Sequence, residues 1–291
     1  MSRTGTRRTP YLLLAPAVGF LAVFFVVPLV FLASQSLQTG SLEGGYTLTW
    51  HVHTYADAIS TYWPQFLRSL VFAGVATALA VLIGYPLAYV IALRSGRWKS
   101  VLLLLVVAPF LTSFLLRTLA WETILSDNGP VTSTLRDTGV LHLLRWLHVI
   151  PGDTLLGTRL AVVTGLTYNF LPFLVLPLYA SLERLDRTLL EAAADLYGSP
   201  WAAFRTVTLP LSMPGLVAGT LLTFVPATGD YVNSQLLGSP ATTMIGQVVD
   251  GQFLRVLDYP VAAALSVLLM LTVAGLVLAY VRRAGTAELV G

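Results

Sequence analysis

Arg117, Glu122 and Asp230 are ionisable side chains that stand inside long apolar runs. A charge at membrane depth is costly and usually faces a cavity or another charge. Trp121 precedes Glu122 and Tyr231 follows Asp230, so each carboxylate could hold a cation together with an aromatic ring. In the alternative interpretation Arg117 and Glu122 neutralise each other, although a separation of five residues is poor for a helical pair.

The side-chain sets that most enzymes use are missing. The chain has no cysteine, which excludes disulfides, thiolate metal ligands and a cysteine nucleophile. Lys99 is its only lysine, and no glycine frame precedes it as in the phosphate-binding G-x-x-x-x-G-K-S/T loop.

Asp230 has no second aspartate in an apolar run with which to share a proton, as a membrane aspartyl protease needs. The histidines all lie outside those runs, at His51, His53, His142 and His148. We therefore expect neither catalysis nor a bound metal or cofactor, and any ATP that drives this protein must bind to another chain.

Six apolar runs predict membrane-spanning helices. Hydrophobic residues make up 56% of the 291 residues and charged residues 11%, a composition too apolar for an ordinary soluble domain. Each run has about the 20 residues that cross a hydrocarbon core of about 30 Å, and the runs largely lack the polar outer face of a soluble helix. We predict an all-α polytopic fold in one domain, residues 1–291, with spans at about 11–35, 67–93, 100–124, 158–182, 213–237 and 259–281. Tyr168 and Asn169, inside the fourth run, are further candidates for a substrate path.

The positions of arginine and lysine predict the orientation in the membrane. They cluster in segments that share one side of a six-span chain: Arg3, Arg7, Arg8, Arg94, Arg97, Lys99, Arg184, Arg187, Arg205, Arg282 and Arg283. The positive-inside rule therefore predicts that both termini and the loop 183–212 lie in the cytoplasm. We expect a multi-pass protein of the cell (inner) membrane, and the presence of an outer membrane is left open. The first run is longer than the core of a signal peptide, so we expect it to be retained as a span. The net charge of +3 comes mostly from these arginines and requires no nucleic-acid partner.

The loop 183–212 contains a polar helix–turn–helix between two spans. Asp186 is placed to cap a helix over residues 187–197, and Gly198 is suited to end it. Ser199 and Pro200 are typical of the cap and first position of a second short helix, which Pro210 follows. Small residues at 192–194 would let a partner surface approach closely. Attachment to two spans argues against the alternative that this unit reads DNA.

The same loop resembles a known signature. Glu191-Ala192-Ala193, followed by Gly198 and Leu209-Pro210, resembles the EAA loop of the membrane subunits of bacterial ABC importers. Over roughly residues 45–283 the chain also resembles spermidine/putrescine-type permeases, in the stretches 84–89, 108–114, 117–121, 171–173, 177–179, 224–227, 229–232, 236–238 and 244–246.

The resemblance implies a type I-like ABC importer assembled from several chains. A dimer of ABC ATPases would bind ATP and magnesium, and an extracytoplasmic solute-binding protein would deliver the solute. A second, similar permease would complete the pathway, each permease forming half of it within the membrane lipid. Glu191 and Gly198 would set the geometry of the coupling helix, and the residues that face or brace the ATPase would be Ala192, Ala193, Asp195, Tyr197, Trp201 and Arg205.

The implied cargo is a polyamine such as spermidine or putrescine, whose ammonium groups suit the acids and aromatic rings of the candidate path. That path comprises Trp121, Glu122, Asp230, Tyr231, Arg117, Tyr168 and Asn169. Thiamine, iron or another small solute is left open as cargo. A stand-alone secondary transporter and an intramembrane enzyme are the alternatives to an ABC importer.

Overall fold

The computed structural model describes residues 9–197 and 199–284. Its α-helices are α1 Thr9–Leu21, α2 Val27–Gln35, α3 His53–Tyr89, α4 Lys99–Val107, α5 Phe114–Leu125, α6 Pro130–Asp137, α7 Val140–Trp146, α8 Arg159–Glu183, α9 Arg187–Tyr197, α10 Pro200–Ala203, α11 Leu209–Thr228, α12 Val232–Leu237, α13 Ile245–Gly251 and α14 Tyr259–Ala284. Two short strands, β1 Gln38–Ser41 and β2 Gly45–Leu48, pair antiparallel as a hairpin. Single π turns cover Ala22–Val26, Val90–Arg94, Phe204–Thr208 and Gln252–Val256, and 3-10 turns cover Gly96–Trp98, Ala108–Leu111 and Pro240–Thr242.

The helical stretches fit a membrane protein. Within the described residues, five stretches are long and apolar enough to cross a membrane: Leu14–Gln35, His53–Arg94, Arg159–Glu183, Pro200–Thr228 and Tyr259–Arg283. A sixth results if the bent pair Gly96–Leu111 and Phe114–Asp137 counts as one span. The predicted all-α class is confirmed, with the hairpin as a small addition.

The third predicted span, 100–124, is not one continuous helix. Its two halves meet at 94° across Thr112 and Ser113. Pro109 opens a 3-10 turn, and the hydroxyl of Thr112 donates to the carbonyl of Pro109 at 2.7 Å. Thr112 itself is extended, with φ −103° and ψ 153°. The N–H of Thr112 donates to the same carbonyl at 3.2 Å, which closes the turn, and α5 begins as a separate helix at Phe114.

The fifth predicted span, 213–237, also ends earlier than the hydropathy indicates. Helix α11 stops at Thr228, and α12 begins at Val232. Between them, the carboxylate of Asp230 accepts a hydrogen bond from the N–H of Asn233 at 2.8 Å. Asp230 therefore satisfies an N–H in the first turn of the new helix.

The chain divides into two compact units. One consists of the residues up to Trp63 together with Val249–Leu271. In this unit the hydroxyl of Tyr46, on the hairpin, donates to the carbonyl of Leu257 at 2.7 Å, and the rings of Tyr46 and Tyr259 meet edge to face. These contacts fix the hairpin to the first turn of α14.

The other unit consists of Pro64–Val248 and the residues from Thr272 onward. Helices α8 and α11 cross closely in it, because Gly215 and Gly219 present no side chain to α8. A Cβ on Gly215 would lie 2.7 Å from the carbonyl oxygen of Pro177, and one on Gly219 would lie 2.9 Å from that of Leu174. Small residues four apart are a common means of close helix packing in membranes.

Candidate functional site

The loop between α8 and α11 forms the predicted pair of short helices. The carboxylate of Asp186 accepts the N–H of Thr188 at 2.9 Å, and this hydrogen bond holds the pKa of Asp186 below its ordinary value. Ser199 accepts the N–H of Ala202 at 3.1 Å, with Pro200 in the first turn. The predicted caps at Asp186 and Ser199 are confirmed, whereas the predicted helix end at Gly198 lies outside the described residues.

The predicted ATPase-facing residues differ in exposure. Glu191, Ala192, Asp195, Tyr197, Trp201 and Arg205 are exposed, and Ala193 is buried. The side chain of Ala193 therefore packs inward and braces the segment. Leu196 is 78% exposed, and Trp201 is 69% exposed. Acidic and large apolar side chains thus share the outer surface of the two helices, which we call the loop surface (Leu189, Glu191, Asp195, Leu196, Tyr197, Trp201).

Phe204 connects the loop surface to the interior, and the sequence reasoning did not identify it. Its ring stacks on that of Trp201 with centroids 5.4 Å apart. On the other side it meets the ring of Tyr85 edge to face at 5.5 Å and that of Tyr89 at 6.2 Å. The signal in the sequence that could have identified Phe204 is its position, three residues after Trp201 in a short amphipathic segment.

Tyr85 contacts Phe204 on one side and the packed helices on the other. Its hydroxyl lies 2.7 Å from that of Ser212, a fully buried residue in the first turn of α11. The buried cluster around it joins α3 to α8: Tyr85, Ala88, Ala92, Val175, Leu178 and Leu182. Direct contacts therefore connect the loop surface to α3, α8 and α11.

A buried amide cluster lies among the predicted substrate-path residues. The amide nitrogen of Asn169 donates to the hydroxyl of Thr118 at 3.2 Å and to the amide oxygen of Asn233 at 3.0 Å. All three residues are buried, and Asn169 and Asn233 each keep one polar side-chain atom without a hydrogen-bond partner. The cluster joins α5, α8 and α12, the last of which Asp230 caps.

Arg117 is held by aromatic rings. Its guanidinium lies 5.0 Å from the ring centroid of Phe110 and 5.7 Å from that of Phe114. Among the described residues no ion pair joins Arg117 to Glu122, so the proposed mutual neutralisation is absent from this structure. Two guanidinium nitrogens of Arg117 are buried without a hydrogen-bond partner.

Trp121 and Tyr168 form an aromatic wall on facing helices. Their rings meet edge to face, with centroids 5.2 Å apart. Both residues line a cavity of about 240 Å³ together with Thr164, Thr167 and apolar side chains. Glu122 is half-buried, Asp230 is buried and Tyr231 is exposed. The structure therefore brings together Trp121 and Tyr168, and it brings Asn169 near Asp230 through Asn233.

Comparison with known proteins gives relatives along most of the chain, although no protein-family model matches it. The spermidine/putrescine transport system permease protein PotB of Haemophilus influenzae is 34% identical over 265 residues, which cover 91% of this chain and 90% of that protein. PotB of Escherichia coli is 34% identical over 91% of this chain and 94% of its own length. The inner membrane ABC transporter permease protein YdcU of Escherichia coli is 35% identical over 75% of this chain and 71% of its own length.

Solved structures support the fold. A crystal structure of a bacterial ABC transporter involved in the import of the polysaccharide alginate matches with a TM-score of 0.65 at 18% identity, over 95% of this chain and 94% of that chain. The same kind of transporter in complex with an alginate-bound periplasmic protein matches with a TM-score of 0.64 at 17% identity, over 96% of this chain and 95% of that chain. At this identity the likeness concerns the fold, which is that of an ABC importer's membrane subunit. The identity to PotB over nine tenths of both chains shows more: this chain belongs to the family of spermidine/putrescine transport system permease proteins, and it is a transport subunit, not an enzyme.

Proposed function

We propose that this permease carries a polyamine and receives its driving force from a separate ATPase that docks on the loop surface. The observation that carries the coupling part is the contact series from Trp201 through Phe204 to Tyr85 and Ser212. An exposed surface with a packed aromatic connection to three helices is suited to transmit a partner's motion. A loop that served only to join two spans would need no such connection.

The cargo proposal rests on the PotB relatives and on the chemistry of the candidate path. A polyamine is a flexible chain with several ammonium groups, which carboxylates and aromatic faces hold well. Glu122, Asp230 and the Trp121–Tyr168 wall supply such groups. In this proposal the buried amide cluster positions α12, and with it Asp230.

The remaining partners and the orientation follow from the same proposal. A second permease supplies the other half of the pathway, and an extracytoplasmic solute-binding protein delivers the polyamine. ATP and magnesium bind to the ATPase dimer. The arginine distribution supports a cytoplasmic position for the loop surface and both termini, where ATP is available to the ATPase.

Reconstitution tests the coupling part. The full complex is placed in vesicles with spermidine and the binding protein, and ATP hydrolysis and spermidine uptake are measured together. Trp201→Ala should weaken ATPase association and lower both activities in parallel. Trp98→Ala is the matched control, because Trp98 is also an exposed tryptophan on a turn, 57% exposed, and lies outside the loop surface. Spermidine uptake by this chain alone, driven by an ion gradient, would contradict the proposal and favour a secondary transporter.

A second set of variants tests the cargo. Glu122→Gln should raise the spermidine concentration needed for half-maximal uptake, because it removes a charge from the path. Asp230→Asn should do the same while keeping an acceptor for the N–H of Asn233. Asp137→Asn, at an exposed position of α6, should leave uptake unchanged. ATP hydrolysis that responds to thiamine or an iron complex but not to spermidine would replace the cargo and leave the coupling proposal intact.

A further inference from the structure

A basic cavity of about 600 Å³ lies at the first turn of α8, away from the loop surface and the amide cluster. Arg145 and His148 line it from the end of α7, Thr158 and Arg159 from the start of α8, and Ser239 from the cap of the 3-10 turn Pro240–Thr242. None of the described residues that line it is acidic. The cavity therefore presents cationic and hydroxyl groups, which are the groups that bind phosphate.

The two arginines of the cavity, Arg145 and Arg159, differ in the hydrogen bonds and ion pairs that they already make. One terminal nitrogen of Arg145 donates to both carboxylate oxygens of Asp153, at 2.9 and 3.0 Å, and the other lies 2.9 Å from Nδ1 of His142. Among the described residues no carboxylate pairs with Arg159, which is exposed. With Asp153 counted, the cavity keeps one uncompensated positive charge at Arg159, and Arg145 is fixed in place beside it.

His148 occupies a backbone position that normally belongs to glycine. The N–H of His148 donates to the carbonyl of Arg145 at 3.0 Å, and the N–H of Val149 donates to that of Leu144 at 3.0 Å. These two bonds form a Schellman motif, in which the residue after the helix is left-handed and usually glycine. His148 has a φ of 57° there. A histidine at a position that favours glycine indicates a functional role for its side chain, and His148 lines the cavity.

An exposed apolar face adjoins the cavity. Val140, Leu143, Trp146 and Leu147 lie on one side of α7 and are exposed, whereas Leu141 on the other side is buried in the core. Tryptophan is enriched where a membrane meets water. Arg159 is the first residue of a membrane-spanning helix, so the cavity lies at the level of the membrane surface.

We propose that this cavity binds the phosphate group of an anionic phospholipid, with Arg159 and Arg145 on the phosphate and the acyl chains along α7. Arginine side chains close to a membrane surface attract the headgroups of anionic lipids electrostatically. An acidic segment of a partner protein would account for the arginines alone, whereas a phospholipid supplies a phosphate for the arginines and acyl chains for the adjoining leucines and Trp146. The combination of a cationic cavity with an apolar face therefore favours a lipid.

Lipid retention by the full chain tests this proposal. The purified protein is placed in nanodiscs of phosphatidylcholine with a minor fraction of phosphatidylglycerol, extracted in mild detergent, and its retained lipids are measured by native mass spectrometry. Arg159→Gln should lower the retention of phosphatidylglycerol about fivefold, since one arginine near a membrane surface contributes about that much affinity. Arg136→Gln is the matched control, because Arg136 is an exposed arginine on α6 that does not line the cavity.

His148→Gly separates lipid binding from folding. Glycine suits the left-handed position, so the thermal midpoint should stay the same or rise while phosphatidylglycerol retention falls. Equal retention in the wild type, Arg159→Gln and His148→Gly would overturn the proposal. Displacement of the lipid by millimolar inorganic phosphate would overturn it in favour of a free-anion site. Retained lipid with weakened capture of the solute-binding protein would overturn it in favour of a protein contact.

Discussion

The hydroxyl oxygens of Tyr85 and Ser212 lie 2.7 Å apart, which joins α3 to the first turn of α11. The ring of Tyr85 also meets that of Phe204, on the turn that leads into α11. Burial raises the free-energy cost of leaving either hydroxyl without a partner, so the two helices are held together at this point. Phe204 and Tyr85 thus lie where a displacement of the loop surface would first reach the spans.

The Phe204 ring should be required for coupling more than for assembly. Phe204→Ala removes the contacts with Trp201 and Tyr85, so we expect ATP hydrolysis to continue while spermidine uptake falls several-fold. The measurement is the ratio of spermidine transported to ATP hydrolysed. The loss in stability should stay below the about 3–5 kcal/mol of a fully buried Phe→Ala change, because Phe204 is only partly buried.

Two further variants separate the ring contacts from general packing. Phe204→Leu keeps apolar volume but removes the aromatic contacts, so it should have an intermediate ratio. Phe20→Ala, at a 63% exposed position of α1, should leave the ratio unchanged. If Phe204→Ala lowers uptake and hydrolysis equally, the residue acts in ATPase docking and not in transmission.

The cap at Asp186 should make the start of α9 sensitive to acid. The hydrogen bond from Thr188 lowers the pKa of Asp186 in the folded protein. Its stabilising contribution is therefore fully present above the unfolded pKa, about 3.9 for aspartate, and is lost as the pH falls through the lower folded value. Hydrogen exchange of the amides in α9, corrected for the intrinsic pH dependence, should show greater opening only in that acidic range.

Asp186→Asn provides the control for this titration. Asparagine caps helices about as well as aspartate but does not titrate, so the acid-dependent opening of α9 should disappear. Asp186→Ala should open the first turn at every pH. An unchanged acid response in Asp186→Asn would assign the titration to another group.

The close crossing of α8 and α11 should tolerate no side chain at Gly219. Gly219→Ala would place a Cβ 2.9 Å from the carbonyl oxygen of Leu174 and 3.1 Å from its Cα, so the helices would have to separate. We expect a loss of about 1–3 kcal/mol in the free energy of unfolding, measured by denaturant titration in detergent.

Gly74→Ala is the matched control for that substitution. Gly74 also lies in a spanning helix, but a Cβ there meets nothing within 4 Å. Alanine is favoured over glycine in a helix by about 1 kcal/mol, so this variant should be neutral or stabilising. A similar loss in both variants would show that flexibility at glycine, and not the close crossing, is what the protein needs.

The sequence predicted the features that depend on neighbouring residues. Hydropathy predicted the apolar stretches but not where the third and fifth of them break, and the types of Asp186 and Ser199 predicted two helix caps, because both are local properties. The break at Thr112 was not predicted, since Pro109 alone does not decide whether a membrane helix kinks or ends. The break lies at the extended backbone of Thr112, a conformation that no neighbouring residue type specified.

The long-range contacts of the site were the part that sequence reasoning missed. Phe204 and Tyr85 are 119 residues apart, and no local pattern pairs them. Asn169 was named as a polar residue at membrane depth, but its partner Asn233 was not, although it too is an amide in an apolar run. The exposure of the large apolar side chain Leu196 could not be predicted either, because helical periodicity indicates an apolar face without specifying which molecule covers it.

The hydrogen bond between Asn169 and Asn233 should make the losses in stability caused by substitutions at these two positions non-additive. Both side chains are buried, so Asn169→Leu leaves the amide oxygen of Asn233 without its donor, and Asn233→Leu leaves the nitrogen of Asn169 with only Thr118. Each single change should cost about 1–3 kcal/mol, the penalty of an unpaired buried group. The double variant should cost less than the sum of the two, because it leaves no orphaned partner within the pair.

A double-mutant cycle in detergent measures this coupling, which we expect to be about 0.6–1.7 kcal/mol as for other hydrogen bonds between membrane helices. Asn169→Leu paired with Ser239→Ala, a residue outside the amide cluster, is the control cycle and should be additive. If the Asn169–Asn233 cycle is additive as well, the two amides are held by separate contacts. In that case α12 and its cap Asp230 would be positioned by the packing of Leu237 and not by the hydrogen bond to α8.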